Sequence, residues 1–144
     1  MGNPRINIGN YSTDFVVRPT VDSNFSSNLS GITIEGTPWY DSANNTFTVY
    51  NTTLNLTAND VVIDQTCADC TVIGIATSGH GAYDDANGHE VATVNIDAKG
   101  SIKIHSSTSN EESTYAIENN STGTITLSGA EVDLCMLPIG SAAI

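Results

Sequence analysis

The chain has 144 residues, enough for one domain with its own core, and sixteen acidic residues against four basic ones give a formal net charge of -12. Charge of this sign excludes direct nucleic-acid binding, whose affinity comes from Lys and Arg neutralising phosphates, and excludes an anionic membrane surface for the same reason. The abundance of Thr, Ser, Asn and Gly with little Lys is the composition of an extracellular or virion protein rather than of a cytosolic enzyme.

Residues 1–30 stand apart. Arg5 and Arg18 balance Asp14 and Asp22, so this segment is neutral and the rest of the chain carries the whole negative charge. It holds Pro4, Pro19, many Asn and Ser, and one short apolar run, DFVVRP at 14–19. It reads as an extended N-terminal arm in front of a single β-domain at 31–144. Arg5, Phe15 and Arg18 are its candidate partner-binding residues. No charged n-region followed by an apolar h-region opens the chain, so no signal peptide is expected, and no apolar run approaches the roughly 20 residues of a membrane span. A protein that assembles inside the cell and leaves on lysis fits both observations. Trp39, after Pro38, is a fourth candidate contact, because aromatic residues are enriched at subunit interfaces.

No window of the chain carries a helical apolar stripe, whereas strand patterns recur. TFTVYNTTLNL at 46–56 changes phase near Asn51, which predicts a bulge or bend. VVID at 61–64 and TVIGIAT at 71–77 read as strands buried on both faces. EVATVNID at 90–97, SIKIH at 101–105, GTITLS at 123–128 and EVDLCML at 131–137 follow with alternation of period two. DANGH at 85–89, DAKG at 97–100 and LSGAE at 127–131 read as tight hairpin turns. The expected fold class is all-β, an antiparallel β-sandwich or small β-barrel with an extended N-terminal arm and no internal repeat. The apolar end MLPIGSAAI at 136–144 is expected to pack on a neighbour or on the core.

Four motifs bear on chemistry. Cys67 and Cys70 form C-x-x-C, and His80, His89 or His105 would complete a zinc set, but no second C-x-x-C or closely spaced His pair is present. The favoured reading is a β-turn between two core strands, its cysteines free or bridged; the weak metal candidates are Cys67, Cys70, His80 and His89. Cys135 reads as a core residue of the last strand. DDANGHE at 84–90 has part of a calcium-loop pattern and reads as a solvated hairpin tip. SGHGAY at 78–83 has no identifiable nucleophile and acid beside its His. Glu111 and Glu112 lie in a polar loop, where nothing raises a carboxyl pKa for general acid catalysis. The chain is therefore expected to have no catalytic site and no cofactor.

The stretch LTANDVVIDQ, TVIGIATSGHG and HEVATVNIDAKGSIKIH, over about residues 56–105, resembles the small β-rich decoration (cement) proteins of tailed-phage heads. The resemblance implies a virion protein on the capsid exterior. It also implies the major capsid protein as partner, a homo-oligomer with a trimer favoured, and stabilisation of the head rather than catalysis. A secreted or cell-surface β-sandwich subunit, such as a pilin-like protein or an adhesin, is the alternative, as is another virion component such as a head fibre base or tail protein.

Overall fold

The computed structural model describes residues 5–24, 28–41, 46–78, 91–109, 114–121 and 123–138. All regular structure among them is extended. The strands are β1 (Arg5–Gly9), β2 (Phe15–Val17), β3 (Thr20–Asn24), β4 (Leu29–Glu35), β5 (Thr37–Asp41), β6 (Thr46–Tyr50), β7 (Thr52–Ala58), β8 (Val61–Asp69), β9 (Val72–Ser78), β10 (Ala92–Ala98), β11 (Ser101–Thr108), β12 (Thr114–Asn120), β13 (Ile125–Ser128) and β14 (Glu131–Pro138).

The pairing is not between neighbours in sequence. Sheet 1 runs β1-β7-β10-β13, sheet 2 runs β14-β11-β8-β2 with β3 also on β8, and sheet 3 runs β12-β9-β4. Every pair in these three sheets is parallel. The chain thus visits sheets 1, 2 and 3 in turn and stacks each circuit on the one before. The first coil is β1, β2 with β3, and β4; the second is β7 to β9; the third is β10 to β12; β13 and β14 begin a fourth. This is a three-sided parallel β-solenoid. Among the described residues only β5 and β6 pair antiparallel, as a hairpin inserted between sheet 3 of the first coil and sheet 1 of the second.

The expected antiparallel sandwich or barrel is overturned by this pairing, and the cause lies in the corners. DAKG and LSGAE do not close hairpins. In a hairpin the turn returns the chain to its own strand; here the corner amides bond to the corner of the preceding coil. Lys99 N–H donates to Ala58 O at 3.0 Å, Gly100 N–H to Asn59 O at 2.7 Å and Ala130 N–H to Gly100 O at 2.8 Å. Asn59 N–H donates to Thr13 O at 2.7 Å in the same column. The N-terminal arm is corrected too. Its strands β1, β2 and β3 are the first coil, laid in register on β7 and β8. The absence of an internal repeat is a third correction, since the coils are the repeat. They differ in length because the β5–β6 hairpin and residues 79–90 enter between sheets 3 and 1, so no fixed period marks them. The proposed turn at 85–89 lies outside the described residues.

Period-two alternation sends one row of each strand inward. Leu54 and Leu56 stack on Val94 and Ile96 in sheet 1. Val61 and Ile63 stack on Ile102 and Ile104 in sheet 2, and all eight of these side chains are buried. Ile32, Ile75 and Ile117 form the matching column of sheet 3. β8 alternates along its length, whereas Val72 to Ile75 on β9 are buried without interruption. Gly74 is part of that run because Ile104 of sheet 2 needs its space: a Cβ there would lie 2.2 Å from Ile104 Cγ2 and 2.5 Å from Ala116 O. Gln65, also buried, braces the interior by donating from Nε2 to Ile73 O across to sheet 3 at 2.8 Å.

Candidate interaction surfaces

Three surfaces carry ordered polar or uncovered apolar groups. The first is the outer face of sheet 1. Asn7, Asn55 and Asn95 share one register column, and Asn95 Nδ2 donates to Asn55 Oδ1 at 3.0 Å while Asn55 Nδ2 donates to Asn7 Oδ1 at 2.9 Å. Threonines flank this amide ladder at 53 and 93 and at 57, with Asp97 next to Thr57 in its column. The Tyr11 hydroxyl, from the corner after β1, reaches across and donates to Asp97 Oδ2. That bond to the carboxylate, with some desolvation and the nearby charge, holds the Tyr11 phenol above its ordinary pKa.

The second surface is the column of corner carboxylates between sheets 1 and 2. Asp14 Oδ1 accepts from the Asp60 amide at 3.1 Å and from Asn59 Nδ2 at 3.0 Å. Asp60 Oδ1 accepts from the Ser101 amide at 2.8 Å. Each carboxylate holds an amide where the next coil enters its sheet-2 strand, Asp60 just before β8 and Ser101 at the start of β11. Glu131 occupies the same column in the last coil, since Ser101 pairs with Glu131. Nearby, on the outer face of sheet 2, His105 Nε2 lies 3.1 Å from Asp133 Oδ2. Both groups are well exposed, so the pair is worth at most about 1 kcal/mol.

The third surface is formed by the two ends of the stack. Ile6 and Ile8 of β1 point inward over Leu54 and Leu56, and Val132 and Leu134 of β14 point inward over Ile102 and Ile104. The covered members of these columns are at most 3% exposed. The end members, Ile6 and Ile8 at 41%, Val132 at 42% and Leu134 at 46%, have no further coil over them among the described residues. Met136 at 54% continues the same row.

The residues singled out from the sequence fall as follows. Arg5 is exposed on β1, Arg18 is exposed between β2 and β3, and Phe15 of β2 packs against the core rather than outward. All three belong to the first coil. Trp39 lies on β5, in register with Thr48 of β6. Cys67 and Cys70 are joined as a disulfide at the corner between sheets 2 and 3, so neither presents a thiolate to a metal. His80 and His89 lie outside the described residues, as do the loops at 79–83 and 84–90 and the pair Glu111 and Glu112. Among the described residues no cluster of three or more His, Cys, Asp or Glu is placed to hold a metal. Cys135 is half-buried and free, and it faces outward rather than into the core. The amide ladder and the open end rows were missed from sequence. Their signal is the recurrence of RINIG, TLNLT and TVNID at the start of successive coils.

No protein-family model, no curated protein and no solved structure matches this chain.

Proposed function

We propose that the chain is a structural protein of a virion exterior, a decoration or cement protein whose partner is the major capsid protein. The observation that carries the reading is the pair of uncovered inward rows. A solenoid interior that stops with Ile6, Ile8, Val132, Leu134 and Met136 exposed is a surface that a neighbour completes. Among the described residues the outer edges of β1 and β14 have no partner strand and offer the backbone groups for strand addition. Many copies on one particle add avidity without any single strong contact. The strongly acidic body favours solubility and spacing between copies over nucleic-acid binding. A head fibre base or tail component is the second reading, favoured by a fold that grows along one axis.

Density-gradient fractionation of the native source, with mass spectrometry on each fraction, tests it. The chain is expected to run with DNA-filled particles in many copies. Recovery in the soluble or cell-surface fraction alone overturns the reading.

A further inference from the structure

We infer that the molecule stacks head to tail with a second copy of itself, the last coil of one on the first coil of the next. The inference rests on the reading of the chain as an assembly element and names the partner of its two open ends. Both ends expose the same columns. Ile125 and Leu127 continue the columns that Ile6 and Ile8 begin, and Val132 and Leu134 continue those of Phe15 and Val17. A second copy in the same orientation therefore sets Leu, Ile and Val rows on rows of their own kind.

Orientation follows from the ladders and the charges. A head-to-tail contact keeps all strands parallel and extends the corner columns, placing Glu131 where Asp14 and Asp60 each accept the next coil's amide. Two acids adjacent in that column are already present within one chain, as Asp14 beside Asp60. A two-fold contact between last coils sets Glu131 and Asp133 against themselves. Head to tail, those acids meet instead the first coil, where Arg5 and Arg18 offset Asp14 and Asp22. Such a contact does not close on itself, so it yields linear stacks rather than a fixed dimer. The net charge of -12 on each copy opposes stacking, and the test belongs at physiological ionic strength, where the Debye length is about 8 Å.

The test uses the purified chain, with sedimentation velocity over a range of concentrations and negative-stain microscopy. The wild type is expected to form a concentration-dependent ladder of linear oligomers. Ile8→Glu blocks the first-coil end and Leu134→Glu the last-coil end, both at positions already exposed, with circular dichroism confirming the fold. Each variant alone is expected to be monomeric, and an equimolar mixture to give a one-to-one dimer through the two intact ends. Arg18→Glu is expected to weaken wild-type stacking about tenfold, as loss of a favourable charge contact does. A wild type that stays monomeric, or a single variant that still dimerises alone, overturns the inference. Either result leaves particle association to the gradient experiment, which reads a different partner.

Discussion

Gly74, Asp60 and Tyr11 each report on a contact between coils. Gly74→Ala places a methyl against Ile104 and the Ala116 carbonyl, and part of that clash is with backbone that cannot swing aside. Destabilisation of about 1–3 kcal/mol is expected from urea unfolding, a typical cost of overpacking. Asp60→Ala removes the acceptor of the Ser101 amide and is expected to cost on the order of 1–2 kcal/mol. Asp60→Asn keeps a carbonyl oxygen there and is expected to cost clearly less, which separates hydrogen bonding from charge. The Tyr11 bond has a pH signature. Its phenol is held above the ordinary value by the bond to Asp97, so the neutral form is favoured in the folded state. The contact is therefore complete below the ordinary tyrosine pKa of about 10 and is lost as pH rises through the higher folded value. Ultraviolet titration of the wild type minus Tyr11→Phe should show a phenolate midpoint above the ordinary one. Asp97→Asn should bring it back down.

At the scale of strands and corners, the amide ladder couples three coils. Asn55 both donates to Asn7 and accepts from Asn95, whereas Asn7 and Asn95 each have one bond in the column. Asn55→Ala is expected to cost about twice what Asn7→Ala does, with each bond worth roughly 0.5–1.5 kcal/mol. The Cys67–Cys70 bridge closes a very short loop, so its reduction is expected to lower unfolding stability by about 2 kcal/mol or less and to leave the far-ultraviolet dichroism unchanged. Strand identity was legible throughout this region. VVID and SIKIH fall within strands, and most of TVIGIAT, EVATVNID and GTITLS does too, because alternation reports burial of one face whatever the partner. Partner and direction were not legible. A short polar turn between two alternating runs looks alike whether it closes a hairpin or rounds a solenoid corner. The difference lies in where Lys99, Gly100 and Ala130 send their amides, to residues distant in sequence.

The described residues form a stack whose interior is finished along its sides and, among those residues, open at its ends. That division explains why the candidate interaction surface was only partly legible. Ile6, Ile8, Val132 and Leu134 look like core residues in the sequence, and they occupy core columns, yet they are exposed because no coil among the described residues covers them. Arg5 and Arg18 were singled out because charge asymmetry marks them without any knowledge of the fold, and both are exposed on the first coil, whereas Phe15, chosen with them, points inward. The claim that everything else depends on is the parallel stacking of coils, and it is open to direct trapping. In a Cys135→Ser background, Asn55→Cys with Asn95→Cys places two thiols in one column of adjacent parallel strands. Strands in register lie about 4.7–4.9 Å apart, within reach of a disulfide. Mild oxidation followed by peptide mapping should find a 55–95 bridge in the folded monomer at high yield. A 95–102 bridge from Asn95→Cys with Ile102→Cys, the pair a hairpin at 97–100 would bring together, with no 55–95 bridge, would contradict the solenoid.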